Sequence, residues 1–169
     1  MGIQQMKFLV AYISKTGNTK KVADAIYDVI PQPKEIKRIE DVTSLEGYDL
    51  SFLGFPIHAF GPDKQAKTYL ETHVKDRTIA LFITHMAPEH APELKGWIQK
   101  FRDAAVGANI IGVFDCQGEL RDGFMKMAVR FHPDSHVRSS VGLSKGQPDA
   151  TRLERARTFA SEMMNKVNP

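Results

Sequence analysis

Short apolar runs alternate with amphipathic stretches of helical period along the whole chain. Residues 7–13 (KFLVAYI) are apolar almost throughout, which predicts a strand buried on both faces. Residues 18–30 carry Val22, Ala25, Ile26, Val29 and Ile30 at helical spacing, and Pro31 and Pro33 end that helix. Residues 35–39 form a weaker second strand and 49–54 a third, entered from Gly47. A helix over 63–74 follows Pro62 and turns Ala66, Tyr69 and Leu70 to one face. Residues 78–84 (TIALFIT) are a fourth strand, 91–105 a helix with Leu94, Ile98, Phe101 and Ala105 inward, and 109–116 (NIIGVFDC) a fifth strand. A short helix over 122–131 and a final one over 149–166, with Leu153, Ala156, Phe159, Ala160 and Met163 inward, complete the pattern.

Strands that are apolar throughout and separated by amphipathic helices predict a parallel sheet covered on both faces. Five of them predict an α/β, three-layer, doubly wound domain. No repeat and no Pro/Gly/Ser-rich linker divides the chain, and 169 residues suit a single domain over 1–169. In such sheets ligands bind at the carboxyl ends of the strands. The loops 14–18, 55–62, 85–90 and 116–121 are therefore where function is expected.

The first of these loops reads Ser14-Lys15-Thr16-Gly17-Asn18-Thr19, between an apolar strand and a helix. A helix N-terminus has unpaired N–H groups and partial positive charge, which suits a phosphate. Ser14, Thr16 and Thr19 supply hydroxyl donors and Asn18 an amide, and Gly17 lets the backbone turn close to a ligand. A single such residue would read as a helix cap; four donors around a glycine exceed that need. A nucleotide P-loop would need Lys-Ser/Thr after its last glycine, and Gly17 is followed by Asn18-Thr19. The dinucleotide fingerprint needs three spaced glycines, and Gly17 stands alone.

Tyr12-x-Ser14-x-Thr16-Gly17-Asn18-Thr19-x-x-x-Ala23-x-x-Ile26 resembles the flavodoxin signature, and element order extends the resemblance over essentially the whole chain. The resemblance implies a five-stranded parallel sheet in the order 2-1-3-4-5 and one non-covalent FMN, its phosphate on residues 14–19, Lys15 included. It implies that Pro56, Ile57, His58, Ala59, Phe60 and Gly61 contact the flavin ring, with Phe60 as the stacking aromatic and Gly61 presenting a carbonyl to it. It also implies that Thr84, His85 and Met86 flank the ring from the fourth loop. Three features depart from the family pattern. Ala11 is smaller than usual, a packing variation. Residues 84–90 hold no tyrosine to cover the outer ring face. The chain is net basic where many carrier flavodoxins are strongly acidic.

Charge modifies this picture only mildly. The formal net charge is +3. From residue 119 on, nine basic residues face six acidic ones, so the whole excess lies in the C-terminal third. No dense Lys/Arg tract or aromatic–basic interleaving points to nucleic acid. No apolar run reaches the roughly 18 residues of a membrane helix. The first residues read neither as a secretory signal nor, with Met6 where Ser or Thr is required, as a myristoylation site. A cytoplasmic protein is expected. The single Cys116 excludes an internal disulfide, and its place at a strand end favours an inert thiol over a redox one. His85 with His90, and His132 with His136, make poor metal sites without further ligands, so no metal is expected. Residues 115–119 (DCQGE) are an unusually polar strand end that lines the crevice or starts the next loop. Met125, Met127 and Phe131 are expected to pack inward or under a lid. No Ser/His/Asp triad with a nucleophile elbow is apparent, and no catalytic residue is expected.

Three functions remain open at this point. The first is an electron carrier docking on redox partner proteins, a reductase and an acceptor. The second is an FMN-dependent NAD(P)H or quinone oxidoreductase acting on a small molecule. The third is a flavin-free interaction module, against which the intact phosphate loop argues.

Overall fold

The computed structural model describes residues 4–120, 122–131 and 141–169. The elements run β1 (Phe8–Tyr12), α1 (Asn18–Val29), β2 (Lys34–Arg38), β3 (Leu50–Pro56), α2 (Lys64–His73), β4 (Thr78–His85), α3 (Leu94–Ala104), β5 (Asn109–Gln117), α4 (Asp122–Phe131) and α5 (Ala150–Val167). The strands form one five-stranded sheet in the order β2-β1-β3-β4-β5, parallel at every pairing. The expected order and the doubly wound α/β class are what the chain adopts.

Period-two alternation divides each inner strand between two cores. Leu9, Ala11, Leu53, Phe55, Leu81 and Ile83 pack under α2 and α3 with Leu70 and Phe101. Val10, Phe52, Ala80 and Phe82 pack under α1 and α5 with Val22, Ile26, Phe159 and Met163. Side chains lie close over the sheet at two of its glycines. A Cβ on Gly54 would lie 2.0 Å from the Phe82 ring, and one on Gly112 would lie 2.4 Å from Met163 Sδ. The edge strands differ from the centre. β2 is half-exposed, and its Glu35 takes Lys7 Nζ at 2.8 Å and the Tyr48 hydroxyl at 2.6 Å. β5 carries a bulge opposite Ile79/Ala80, and Lys166 Nζ donates to the Ile111 carbonyl there at 2.8 Å.

Several boundaries differ from the expected ones. β3 continues to Pro56, β4 to His85 and β5 to Gln117, all further toward the crevice. Parallel pairing carries them there, Pro56 lying opposite Thr84 and His85 opposite Gln117. The second strand stops at Arg38, because Ile39 turns into a short 3₁₀ segment and is buried. α3 starts at Leu94 rather than 91, after a turn in which Leu94 N–H donates to the Ala91 carbonyl. Met127 and Phe131, expected to pack, are 53% and 70% exposed. The Met125 side chain, His132 and His136 lie outside the described residues.

Candidate functional site

The carboxyl ends of β1, β3 and β4 converge on a hollow of about 150 Å³. Lys15, Thr16, Asn18 and Thr19 line it from the first loop, Pro56, Ile57 and His58 from the third, and Thr84, His85 and Met86 from the fourth. Asp63 completes the lining. The volume is below that of a drug-sized pocket.

Within the first loop the hydroxyls and amide divide their work. Gly17 has φ +96°, a left-handed conformation that a side chain resists. Its N–H donates to Ser14 Oγ at 3.1 Å. Asn18 Nδ2 donates to the Glu119 carbonyl at 2.8 Å, and Thr19 Oγ1 shares a hydrogen with Thr84 Oγ1 at 2.8 Å. Asn18 and Thr19 therefore lash the loop to β5's end and to β4. Thr16 is exposed, and its hydroxyl makes no bond among the described residues. α1 begins with no side-chain cap and no acid in its first turn. Its first N–H groups and its partial positive charge are thus left for an anion at the hollow. Lys15 adds a cation there, its Nζ 3.2 Å from Asp63 Oδ2.

The third loop departs from the picture of a single flavin-side strip. His58 and Gly61 exchange backbone hydrogen bonds of 2.8 and 3.2 Å, closing a tight turn. Its two central residues, Ala59 and Phe60, have φ of 46° and 70°. Such conformations cost non-glycine residues about 1–2 kcal/mol each. Phe60 is 63% exposed, its ring 5.1 Å from that of Trp97, and Lys100 Nζ donates to its carbonyl at 3.1 Å. Ala59, Phe60 and Gly61 stand outside the hollow, and the Gly61 carbonyl accepts the His58 N–H.

Three residues outside the expected set shape the site. Asp63 caps α2 through Ala66 N–H at 2.9 Å and meets Lys15. Gln117 Nε2 donates to the Met86 carbonyl at 3.1 Å. Asp115 Oδ2 lies 3.0 Å from His85 Nε2. The polar strand end 115–119 was the sequence signal for the last two, and the structure assigns it to bracing the crevice. A Cβ on Gly118 would lie 2.6 Å from Asn18 Nδ2, so that glycine lets the loop close on Asn18. Cys116 is fully buried, and burial pushes its thiol up to about 12, which keeps it protonated and unreactive.

The model of the flavodoxin domain family matches residues 9–161. The chain belongs to the flavodoxin domain family. A relative, the flavodoxin-like domain-containing protein BilS of Clostridioides difficile strain CD3, is 35% identical over 96% of this chain and 99% of its own. Among solved structures, an archaeal flavodoxin superposes with a TM-score of 0.62 at 16% identity, over 97% of this chain and 100% of its own. Fusobacterium nucleatum flavodoxin, crystallised bound to flavin mononucleotide, superposes with a TM-score of 0.62 at 13% identity, over 96% of this chain and 99% of its own. At these identities the structures speak for the flavodoxin fold. The first loop of this flavodoxin domain combines an uncapped helix start, a left-handed glycine and an unengaged threonine hydroxyl, a donor set that suits an anion.

No helix among the described residues is long and apolar enough to cross a membrane.

Proposed function

We propose that this chain binds FMN non-covalently and carries electrons between partner proteins, a reductase and an acceptor. The observation that carries the reading is the start of α1, open to an anion at the mouth of the sheet with neither a side-chain cap nor an acid in its first turn. Thr16 and the first-turn N–H groups would take the phosphate, with Lys15 beside them. His58, Thr84, His85 and Met86 would border the ring. Bound FMN supplies the redox chemistry, and the chain supplies binding, orientation and electrostatics. The single buried thiol suits a reducing, cytoplasmic setting.

A second reading is favoured by one observation. Residues 84–90 hold no Tyr, Trp or Phe, and Met86, 37% exposed, is a side chain at that rim. A ring face left open to solvent suits direct reduction of a quinone or oxidation of NAD(P)H. Anaerobic photoreduction of the FMN-loaded protein, followed by absorbance, separates the two. A carrier passes through two resolved one-electron stages and oxidises NAD(P)H slowly on its own. An oxidoreductase shows one two-electron stage and turns over alone. Absence of flavin fluorescence quenching on mixing with FMN rejects both readings, and equal affinity for FAD rejects the phosphate-monoester site.

A further inference from the structure

Four consecutive carbonyls at the top of β4 each face an assigned donor. The Thr84 carbonyl accepts Ile57 N–H at 2.8 Å and the His85 carbonyl accepts Gly118 N–H at 2.7 Å. The Met86 carbonyl accepts Gln117 Nε2 at 3.1 Å, and the Ala87 carbonyl faces His85 Nδ1 at 2.9 Å. The first three donors are amides, whose hydrogens are permanent. The fourth is a titratable ring.

The other nitrogen of that ring, Nε2, lies 3.0 Å from Asp115 Oδ2. A carbonyl and a carboxylate only accept. A neutral imidazole has one N–H and one lone pair, and an imidazolium has two N–H groups. Only the imidazolium makes both bonds; the neutral ring sets its lone pair against an oxygen. The His85 side chain is 1% exposed, so bulk water does not relieve that clash, whereas Asp115 is 38% exposed and stays hydrated.

Among the described residues, the charged neighbours leave Asp115 as the counter-ion. Glu89, in the β4–α3 loop, is already taken by Arg152 and Arg155 of α5, each at 3.1 Å. Lys95 of α3 lines the same cleft as Asp115. On the hollow side stand Lys15, His58 and Asp63.

We propose that Asp115 holds His85 as an imidazolium, and that His85 is thereby the positioning residue of the hollow. Its Nδ1–H closes the 85–87 turn and sets Met86 at the rim, with a buried positive charge behind it. This rests on the reading of the hollow as the FMN site, and the experiments separate the two. Nitrogen-15 NMR of the flavin-free protein at about pH 7.5, roughly one unit above the ordinary imidazole value, reads both ring nitrogens directly. His85→Gln assigns the signals. The wild-type ring is expected to be protonated on both nitrogens, and the Asp115→Asn ring on one. A single neutral tautomer in the wild type overturns the pair.

FMN titrations then test the positioning role, read as the ratio of wild-type to Asp115→Asn affinity. The ratio is expected to be roughly tenfold at about pH 7.5, and it reads the loss of the buried positive charge, since a neutral ring in the variant still donates Nδ1–H to the Ala87 carbonyl and accepts the new amide on Nε2. It should shrink toward unity as pH falls and protonates the variant's ring. A ratio that does not change with pH makes Asp115 a structural residue and overturns the role. Failure of the wild type to bind FMN overturns the cofactor reading and the positioning role with it, while the NMR result still decides the imidazolium pair.

Discussion

The start of α1 and the starts of α2 and α5 solve the same problem in opposite ways. Each helix opens with backbone N–H groups that have no partner within the helix. In α2 and α5 a carboxylate from the chain itself closes the end: Asp63 accepts from Ala66 N–H at 2.9 Å and Asp149 from Arg152 N–H at 3.0 Å. α1 has Gly17 in the capping position, no side-chain cap and no acid in its first turn. Yet α1 does not begin in open water. Asn18 is 9% exposed and Thr19 1%, so the uncapped end is set within the mouth of the sheet. The two capped helices are closed by the chain's own carboxylates, whereas the first N–H groups of α1 are left open at the hollow.

The largest test of this contrast puts a carboxylate where the anion belongs. Thr16→Asp should weaken FMN binding at least hundredfold, since unit charges about 4 Å apart repel by about 4 kcal/mol at an effective dielectric near 20. Thermal stability should hold within about 2 °C, because Thr16 is an exposed loop residue. Fluorescence titration retaining wild-type affinity would break the assignment of the loop. The opposite lesion is Asp149→Ala. Losing that N-cap should lower Tm by roughly 2–4 °C and leave FMN affinity unchanged. Parallel losses in Tm and affinity would mean that the two helix starts are not independent.

Asp63 belongs to both sides of the comparison, capping α2 while drawing on Lys15 at 3.2 Å. Asp63→Asn keeps an oxygen for the cap and removes the negative charge from the hollow. FMN affinity should rise by roughly threefold with Tm unchanged, the scale of an exposed ion pair; a drop in affinity would show that Lys15 needs Asp63 to hold its place. The smallest effect is on acid stability. The Arg152 N–H holds the Asp149 carboxyl below the usual range, and bonds from Lys37, then Lys7 and Tyr48, hold Glu35 down to about 2. Groups depressed in the folded state stabilise it above their unfolded values of roughly 4, and that stability is lost as pH falls through the folded values. Urea midpoints of the flavin-free protein should therefore decline from about pH 4 toward about pH 2, and Asp149→Asn should flatten part of the decline. Identical slopes would show that the α5 cap carries no linkage.

Much of the site was legible because it is local. The loop 14–19 lies between a strand and a helix whose hydrophobic periods are unambiguous, so its place at a helix start followed from pattern alone. Phe60 shows where that kind of reading stops. Its turn is closed by His58 and Gly61, which are local, but its ring meets Trp97 of α3, which no spacing in the third loop announces. Met127 and Phe131 repeat the lesson: helical periodicity marks an apolar face, and in α4 members of that face stand in solvent.

The alternation of apolar runs and amphipathic stretches determined the parallel sheet, its two covers and the end at which ligands gather, because burial on both faces leaves a strand few other compositions. The glycine and hydroxyls of the first loop pointed to an anion at a helix start, because backbone N–H groups there are chemistry any chain carries. Tertiary structure decided which of those hydroxyls remain for a ligand. It brought Thr19 to Thr84 across 65 residues, Asn18 to Glu119 across 101 and His85 to Asp115 across 30. Those meetings depend on strand order and on register at the tops of β4 and β5, where a shift of one residue would turn each side chain to the other face.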